Sequence, residues 1–328
     1  METNAKKLTV ILQKRSADAL ECVQKDMKGE HLHSKLARDA LTLYLKDWCN
    51  VIHPGLISLA GEAAGAPSEV ILRAQAAMLF LTAASDVHDD IIDKSSSKNG
   101  RPTVFGKFGI DIAVLIGNAF FIKGFTSLNS LGGLISSEKT QLLFLTVQKA
   151  FFTVGDAHAL EIVTRKQNEI SLNEYWNIIN LKSHALQADA RIGAFLGTAR
   201  ERDVEILATY GQALGTLAIL RDDFIDIFDP NELYNRVKNE CPPLPILYAF
   251  QNKKIKNEIR RNIHDRMTQK ETNSIVDIVM ESKEVSQLVN EMRIIVNKAN
   301  KILNRLPNSV AKRTMADLAQ SMLEDLDG

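Results

Sequence analysis

A long internal stretch without proline constrains the fold more than any other feature of this sequence. No proline occurs between Pro102 and Pro230, and the stretch is rich in leucine, alanine, isoleucine and lysine. Within it, Tyr175, Ile178 and Ile179 follow the i, i+3, i+4 spacing of an amphipathic helix. Sustained period-two alternation, which would indicate half-buried strands, is absent. The sequence therefore predicts an all-α fold, a bundle of long helices around a central cavity.

Composition places the chain among globular proteins. Its 328 residues are 45% hydrophobic and 24% charged, which is enough for a large core. No linker, low-complexity tract or change in composition divides residues 1–328, so we expect a single domain. The 40 basic residues balance the 40 acidic residues, which argues against a nucleic-acid partner.

The sequence predicts a cytoplasmic protein. Cys22, Cys49 and Cys241 are scattered, lack the spacing of metal ligands and are typical of reduced thiols. The first residues precede no apolar region as long as that of a signal peptide. No uninterrupted apolar run approaches the roughly 18–20 residues of a membrane span, so we expect no transmembrane segment.

Two copies of one acidic motif carry the predicted chemistry. Each copy has aspartates at i, i+1 and i+4: Asp89, Asp90 and Asp93 in the first, and Asp222, Asp223 and Asp226 in the second. On a helix these positions lie close together, so the carboxylates repel one another. Mg²⁺ can offset that repulsion, and it typically binds one or two protein carboxylates plus substrate phosphates. The motifs therefore predict a small cluster of Mg²⁺ ions around a diphosphate.

A single acidic triplet on a helix is more often a solvated face than a metal site. Here both motifs follow strongly apolar runs, at residues 76–81 and 213–220, and solvated faces seldom interrupt such runs. The same spacing also recurs with similar apolar residues between the aspartates. These observations favour metal binding.

In the order and spacing of its motifs, the chain resembles the trans-isoprenyl diphosphate synthase (polyprenyl synthetase) family of the class I isoprenoid synthase superfamily. Residues 88–93 and the loop after them are similar to the family's first aspartate-rich segment, and residues 215–226 to its second aspartate-rich helix. Further elements of the family are matched at Tyr175, at Lys182-Ser183 and at Leu244-Pro245. The resemblance covers most of the chain and implies an isoprenoid synthase fold.

The resemblance also implies an activity. Family members ionise an allylic prenyl diphosphate with three Mg²⁺ ions and transfer the prenyl group to isopentenyl diphosphate. By this resemblance the six aspartates hold the metal ions, while Lys98 and Lys182 contact the diphosphate. A homodimer is expected, with a heteromer containing an active synthase as the alternative.

Departures from the family cluster where isopentenyl diphosphate would bind. Residues 48–54 replace the family's Gly-Gly-Lys-Arg-x-Arg-Pro and lose its lysine and both arginines, with His53 as a weak substitute. Asn99 replaces a second arginine after the first motif. Burying a diphosphate without cations is costly. Arg236 and Lys238, after the second motif, could replace the lost contacts, although an exposed charged loop is an equally good interpretation.

Three functions therefore compete. The first is a prenyltransferase, the second a class I terpene synthase that ionises one prenyl diphosphate, and the third a non-catalytic partner subunit of a synthase. Six intact aspartates argue against the third, and the lost cations favour the second over an ordinary elongating synthase. Because prenyl transfer is the commoner activity in the family, we adopt the first.

Small residues before the first motif predict a deep pocket. Ala84 and Ser85 lie about one helical turn before Asp89, on the side where a bound prenyl tail would descend. In the family, bulky aromatic residues there close the pocket, so these two predict room for a long tail. The alternative is that a neighbouring helix fills the space, through Phe120 or Phe151.

Overall fold

The computed structural model describes residues 4–98, 100–165 and 170–324, and it confirms the all-α prediction. The chain forms two compact units, which are described separately. Unit 1 contains Met1–Gln148, Ala188–Ala208 and Asn308–Met315, and unit 2 contains Lys149–Gln187, Thr209–Pro307 and Ala316–Gly328. The single domain expected for residues 1–328 stays a prediction.

Five helices and a hairpin lie wholly within unit 1. They are α1 (Asn4–Lys28), α2 (Lys35–Asp47), α3 (Ile52–Ala63), α4 (Ser68–Ile92), β1 (Ser97–Lys98), β2 (Arg101–Pro102) and α5 (Val104–Leu131). Four further helices have residues in both units: α6 (Ser137–Arg165), α8 (His184–Leu196), α9 (Glu201–Asp226) and α15 (Val310–Ser321).

The remaining helices belong to unit 2. They are α7 (Leu172–Lys182), α10 (Pro230–Asn239), α11 (Leu244–Ala249), α12 (Lys253–Asn262), α13 (Gln269–Met280) and α14 (Lys283–Leu303). Residues 171–174 have the Ser-x-x-Glu sequence of a capping box, which predicts a helix start, and α7 begins there. The Ser171 hydroxyl accepts from the Glu174 N–H, and the Glu174 carboxylate accepts from the Ser171 N–H.

The segment after the first motif was predicted to be a loop, but it contains a short antiparallel hairpin. Ser97 pairs with Pro102, and Lys98 pairs with Arg101. The Thr103 hydroxyl donates to the Ser95 carbonyl over 2.7 Å, which closes the base of the hairpin. Strands of two residues are too short to produce an alternating pattern, so the sequence could not reveal them.

Helix α4, which carries the first motif, packs closely against α5. At Gly117 a Cβ atom would lie 2.3 Å from the His88 Nε2, and at Gly124 it would lie 2.5 Å from a Leu81 methyl carbon. A larger residue at either position would force the His88 or Leu81 side chain, or the helices themselves, to move. The two glycines therefore allow α5 to support the end of α4 that carries the carboxylates.

Two of the described helices, α4 and α5, are long and apolar enough to cross a membrane by length and composition alone. The apolar window of α4 is 72% buried inside the protein, whereas that of α5 is only 22% buried. The sequence analysis predicted no transmembrane segment because isolated charges interrupt the apolar residues of both helices. Helices of soluble proteins can meet the same criterion, so length and composition alone assign no membrane role to α4 or α5.

Candidate active site

The first motif lies at the carboxyl end of α4 in unit 1. Asp89 and Asp90 occupy the last turn of the helix, and Asp93 is its C-cap residue. Because the carboxyl end of a helix carries a partial negative charge, carboxylates there are unfavourable without a cation nearby. The last turn of α4 contains no basic residue of its own.

Lys98 supplies a positive charge to the first motif from the hairpin. Its Nζ lies 2.7 Å from the Asp90 Oδ1, and its side chain is 49% exposed, so it can also reach a ligand in solvent. Burial raises the pKa of Asp90, and the charge of Lys98 only partly offsets that rise. The structure therefore places Lys98 at the predicted motif. Asn99 lies outside the described residues.

The sequence analysis missed two hydrogen bonds that helix α4 accepts just before the first motif. The Trp48 indole N–H donates to the Asp86 Oδ2 over 2.9 Å, and the Tyr44 hydroxyl donates to the Ala83 carbonyl over 3.1 Å. The Tyr44 and Trp48 rings are stacked, with centroids 5.6 Å apart. Burial, and then the charge of Asp86, raises the pKa of Tyr44 and keeps its hydroxyl protonated. Trp48 was recognised only as part of a segment that had lost its cations.

His53, the weak substitute for the family's basic residues, is bound to a buried carboxylate. Its Nδ1 lies 2.6 Å from the Asp189 Oδ2, and Asp189 is fully buried. Burial lowers the pKa of His53, but the charge and hydrogen bond of Asp189 outweigh this effect and raise it overall. Burial raises the pKa of Asp189. The positive charge of His53 is thus already matched within unit 1.

The His53–Asp189 pair predicts a pH-dependent stability. A raised histidine pKa gives stability that is complete below its ordinary value of 6.5 and is lost as the pH rises through the raised value. The raised pKa of Asp189 acts in the same direction. We expect the melting temperature to fall as the pH rises above about 6.5, and this fall to be smaller in His53→Gln. Thermal melts across this range, with exposed His33→Gln as the control, test this, and parallel curves for His53→Gln and the wild type would contradict it.

The two residues predicted to line a deep pocket have different environments. Ala84 is fully buried in the hydrophobic core of unit 1, in the cluster that also contains Phe80 and Phe120. Ser85 is half-buried. Phe151 lies in unit 2. Of the two aromatic residues considered as fillers, Phe120 therefore shares a core cluster with Ala84, while room for a long tail stays a prediction.

The second motif lies at the carboxyl end of α9, in unit 2. Asp223 is 1% exposed and accepts hydrogen bonds from the Tyr175 hydroxyl over 3.0 Å and from the Leu244 N–H over 2.9 Å. Asp222 is exposed, and Asp226 is half-buried. The residues that resembled separate family elements in the sequence, Tyr175 and Leu244, thus meet at one carboxylate.

Arg236 binds two carboxylates of the second motif. Its guanidinium donates to the Asp223 Oδ1 over 2.7 Å, to the Asp226 Oδ2, and to the Tyr175 hydroxyl over 2.7 Å. Burial alone would lower the pKa of Arg236, but the surrounding negative groups raise it, so the guanidinium stays charged. Arg236 therefore lies at the second motif, where it contacts aspartates rather than facing solvent, and its predicted role as a diphosphate contact stays a prediction.

Two aspartates of the second motif still have raised pKa values. Partial desolvation raises the pKa of Asp222 to about 6 even though the residue is exposed, and the charge of Asp223 adds to the rise. Burial raises the pKa of Asp226 to about 7 despite the opposing charge of Arg236. A single guanidinium therefore does not neutralise the whole motif, and a further cation near Asp222 would be favourable.

Lys182 is held by a glutamate that the sequence analysis did not select. Its Nζ lies 2.6 Å from the Glu161 Oε2, and Glu161 is 2% exposed. Burial would raise the pKa of Glu161, but the charges of Lys182 and then Arg165 lower it below its usual value. The only sequence signal for Glu161 is a charge inside the apolar segment 157–163 of α6.

Lys238 lies apart from the second motif, although it was predicted together with Arg236. It is exposed and lines a cavity of about 390 Å³ in unit 2. Arg165, Lys256 and Arg260 line the same cavity. The two cations proposed as replacements for lost diphosphate contacts therefore have different positions, one buried at the carboxylates and one at a basic cavity.

The carboxylates fit Mg²⁺ only in combination with other oxygen ligands. Among the described residues, no group of three or more His, Cys, Asp and Glu side chains is arranged to hold a metal ion. Mg²⁺ needs only one or two protein carboxylates when substrate phosphates complete its shell. Buried Asp90, whose pKa is raised, and Asp222, whose pKa is about 6, are suited to such a role.

Comparisons with known proteins agree on one family. The polyprenyl synthetase family model matches residues 28–279. The geranylgeranyl diphosphate synthase of Methanosarcina mazei is 27% identical over 190 residues, or 57% of each chain, so the match spans little more than half of that relative. The octaprenyl diphosphate synthase of Haemophilus influenzae is 23% identical over 82% of each chain. The heptaprenyl diphosphate synthase component 2 of Bacillus subtilis is 26% identical over 82% of this chain and 77% of the relative.

Solved structures show the same fold. The geranylgeranyl pyrophosphate synthetase of Pyrococcus horikoshii superposes with a TM-score of 0.85 at 21% identity, covering 98% of this chain and 99% of the other. The polyprenyl synthetase of Streptomyces coelicolor gives a TM-score of 0.81 at 21% identity, covering 96% and 99%. At these identities the likeness establishes the fold. Because the family model also matches most of the sequence, the chain belongs to the polyprenyl synthetase family.

Proposed function

We propose that this chain is a Mg²⁺-dependent prenyltransferase that ionises an allylic prenyl diphosphate and transfers the prenyl group to isopentenyl diphosphate. The observation that carries the proposal is that both aspartate motifs of a polyprenyl synthetase are intact and lie at the carboxyl ends of long helices. Such clusters are unfavourable without cations, as the raised pKa values of Asp90, Asp222 and Asp226 indicate. Three Mg²⁺ ions with bound substrate remain our expectation.

Within unit 1, Asp89, Asp90 and Asp93 would hold Mg²⁺, and in unit 2 Asp222 would do so. The metal ions would neutralise the diphosphate as its bond to carbon breaks. Lys98 is placed to add a positive charge beside Asp90 and contact a phosphate. Lys182 would bind phosphate by exchanging its contact with Glu161. In unit 2 the Tyr175 hydroxyl and the Leu244 N–H fix Asp223 and hold the end of α9 in place.

The decisive experiment is an incubation with allylic diphosphates of increasing chain length and Mg²⁺, with and without isopentenyl diphosphate. Prenyl transfer requires elongated diphosphates that appear only when both substrates are present. Released diphosphate and organic products should be measured in the same samples. If neither diphosphate release nor a new product is detected with any substrate, the proposal is wrong and the partner-subunit alternative gains support.

A class I terpene synthase is the second candidate, and the His53–Asp189 pair favours it. In the segment where the family has three cations, His53 is the one basic residue and is already bound to a buried carboxylate. A second diphosphate would therefore find few partners there. In this case diphosphate release would not depend on isopentenyl diphosphate, and the products would be hydrocarbons or alcohols.

The exposed apolar face of α5 supports a homodimer. This face consists of Ile110, Val114, Leu115, Ile122 and Phe125, which are between 38% and 68% exposed. Contiguous apolar surface of this kind is typical of protein interfaces. Exposed Asp111 lies among these residues on the same side of α5, but the five named side chains are apolar, so a second copy of the same face is a chemically matched partner for them. We therefore propose that two chains associate through α5.

The dimer proposal is tested by Ile122→Glu. Ile122 is 68% exposed, so the variant should fold normally, but it would bury a charge in the interface and convert the dimer to a monomer. Light scattering coupled to size-exclusion chromatography measures the outcome. Val310→Glu, at a 58% exposed apolar residue of α15, is the matched control and should leave the mass unchanged. A wild-type monomer would instead favour a heteromer with another synthase subunit.

The depth of the substrate pocket can be tested at Ala84. If a prenyl tail passes this position, Ala84→Phe should shift the preferred substrates or products toward shorter chains. Because Ala84 is fully buried, the variant should also lose about 1–3 kcal/mol of stability. Ser85→Phe, at a half-buried site, separates the two effects. An unchanged chain-length profile in both active variants would show that the tail does not pass here.

A cytoplasmic location, with substrates delivered from solution or from a membrane surface, remains part of this proposal. It is supported by the free cysteines Cys22, Cys49 and Cys241 among the described residues. Fractionation of cells that express the full chain tests it, and a protein that sediments wholly with membranes in high salt would contradict it.

A further inference from the structure

Arg236 makes more contacts with the second motif than an ordinary surface ion pair. Separate nitrogens of its guanidinium bind Asp223 and Asp226, so one side chain bridges two carboxylates. Its Nε faces the Glu240 Oε2 at 3.2 Å and donates to the Cys241 carbonyl over 3.3 Å. The side chain is only 12% exposed. A planar guanidinium with five donors suits this arrangement, whereas a lysine ammonium could not bridge both carboxylates with the same geometry.

The position of Arg236 is fixed by the segment that follows the motif. Helix α10 starts at Pro230, and the Asp229 side chain caps it by accepting from the Asn231 and Glu232 N–H groups. Arg236 is near the end of this short helix, where Glu240 contacts the same guanidinium. Two independent features, the cap of α10 and the contact with Glu240, therefore hold the guanidinium against α9.

The two carboxylate oxygens of Asp223 are occupied by hydrogen bonds and are therefore not readily available to a metal ion. Asp223 is 1% exposed, and its two oxygens together accept from Arg236, from the Tyr175 hydroxyl and from the Leu244 N–H. A metal ion could bind it only by displacing one of these donors. Asp226 is bound to the same guanidinium. Asp222 is exposed and remains accessible to a metal ion.

We infer that Arg236 is a built-in cation of the second motif, which takes the place of a metal ion at Asp223 and Asp226 and leaves Asp222 as the carboxylate that binds metal there. The second motif would then bind fewer metal ions than its three aspartates suggest. This inference rests on the proposed metal-dependent function. Its experiment measures metal binding without substrate, so inactivity of the protein would not affect the result.

Removing the guanidinium should create a metal site. Mn²⁺ alone is titrated into the full-length chain, and free Mn²⁺ is followed by electron paramagnetic resonance. Arg236→Gln should bind one more Mn²⁺ per chain than the wild type does. The second motif of this variant should bind Mn²⁺ at least about tenfold more tightly than the second motif of the wild type, because two adjacent carboxylates lose the cation that neutralises them. The added site should disappear in the double variant Arg236→Gln, Asp223→Asn.

The wild-type background gives a matched comparison. Asp223→Asn and Asp226→Asn in the presence of Arg236 should leave Mn²⁺ binding unchanged, since the guanidinium already occupies those carboxylates. The inference is overturned if folded Arg236→Gln binds no additional Mn²⁺, or if Asp223→Asn weakens Mn²⁺ binding by the wild type. If Arg236→Gln does not fold, Arg236→Lys serves in its place, because its ammonium cannot bridge both carboxylates. It should then show a gain in Mn²⁺ affinity that Asp223→Asn removes.

Discussion

Asp89→Asn and Asp222→Asn are each expected to lower Mg²⁺-dependent diphosphate release by about 10²–10³-fold, because in the proposed mechanism each removes an anionic metal ligand and keeps the shape of the side chain. Asp89 represents the first motif and exposed Asp222 the second. Initial rates of diphosphate release at saturating Mg²⁺ measure the effect.

Measuring the melting temperature distinguishes a loss of diphosphate release from unfolding of the variant. The pKa of Asp222 is raised to about 6, so its charged form is unfavourable in the folded protein and Asp222→Asn should not lower the melting temperature. Glu69→Gln, at the opposite end of the helix that carries Asp89, is the matched control and should keep full activity. Wild-type rates in both aspartate variants would exclude the proposed metal-dependent mechanism.

Arg236→Ala is expected to lower the free energy of unfolding by about 3–5 kcal/mol. The guanidinium is 12% exposed, and its removal leaves the carboxylates of Asp223 and Asp226 together without their bridging cation. Chemical denaturation of the metal-free protein, followed by circular dichroism, measures the change.

A neighbouring cation provides the control for Arg236. Lys238→Ala removes an exposed side chain two residues away and should change the free energy of unfolding by less than about 0.5 kcal/mol. Arg236→Lys should lie between the two, because the charge is kept but the bridge is lost. Equal effects of Arg236→Ala and Lys238→Ala would show that the contacts of Arg236 contribute no more than a surface ion pair.

The sequence was informative wherever the signal is local. Apolar spacing predicted the helical fold, and the capping box at Ser171 and Glu174 marked the start of α7 correctly. Pro67-Ser68-Glu69 has the sequence typical of a helix start, and α4 does begin at Ser68. These signals are readable because a helix and its caps are stabilised by contacts between residues only three or four positions apart.

At the second motif, the sequence could not predict which way the Arg236 side chain points. The sequence identified Arg236 only as a cation near the motif, with an exposed loop as an equally good interpretation. The structure decides between them, because α10 turns the guanidinium toward Asp223 and Asp226 instead of toward solvent. Lys238, two residues further on, points to different surroundings. A difference of two residues moves a side chain to another face of a helix, and the packing of that helix determines which face is buried.

Pairs that are distant in the chain were beyond the reach of the sequence. His53 binds Asp189 across 136 positions, Trp48 binds Asp86 across 38, and Lys182 binds Glu161 from another helix. The sequence by itself determined the helical class, the two acidic motifs and the family. Only the tertiary structure decided which of the charged groups are neutralised inside the protein, because that depends on which helix faces pack together and exclude water.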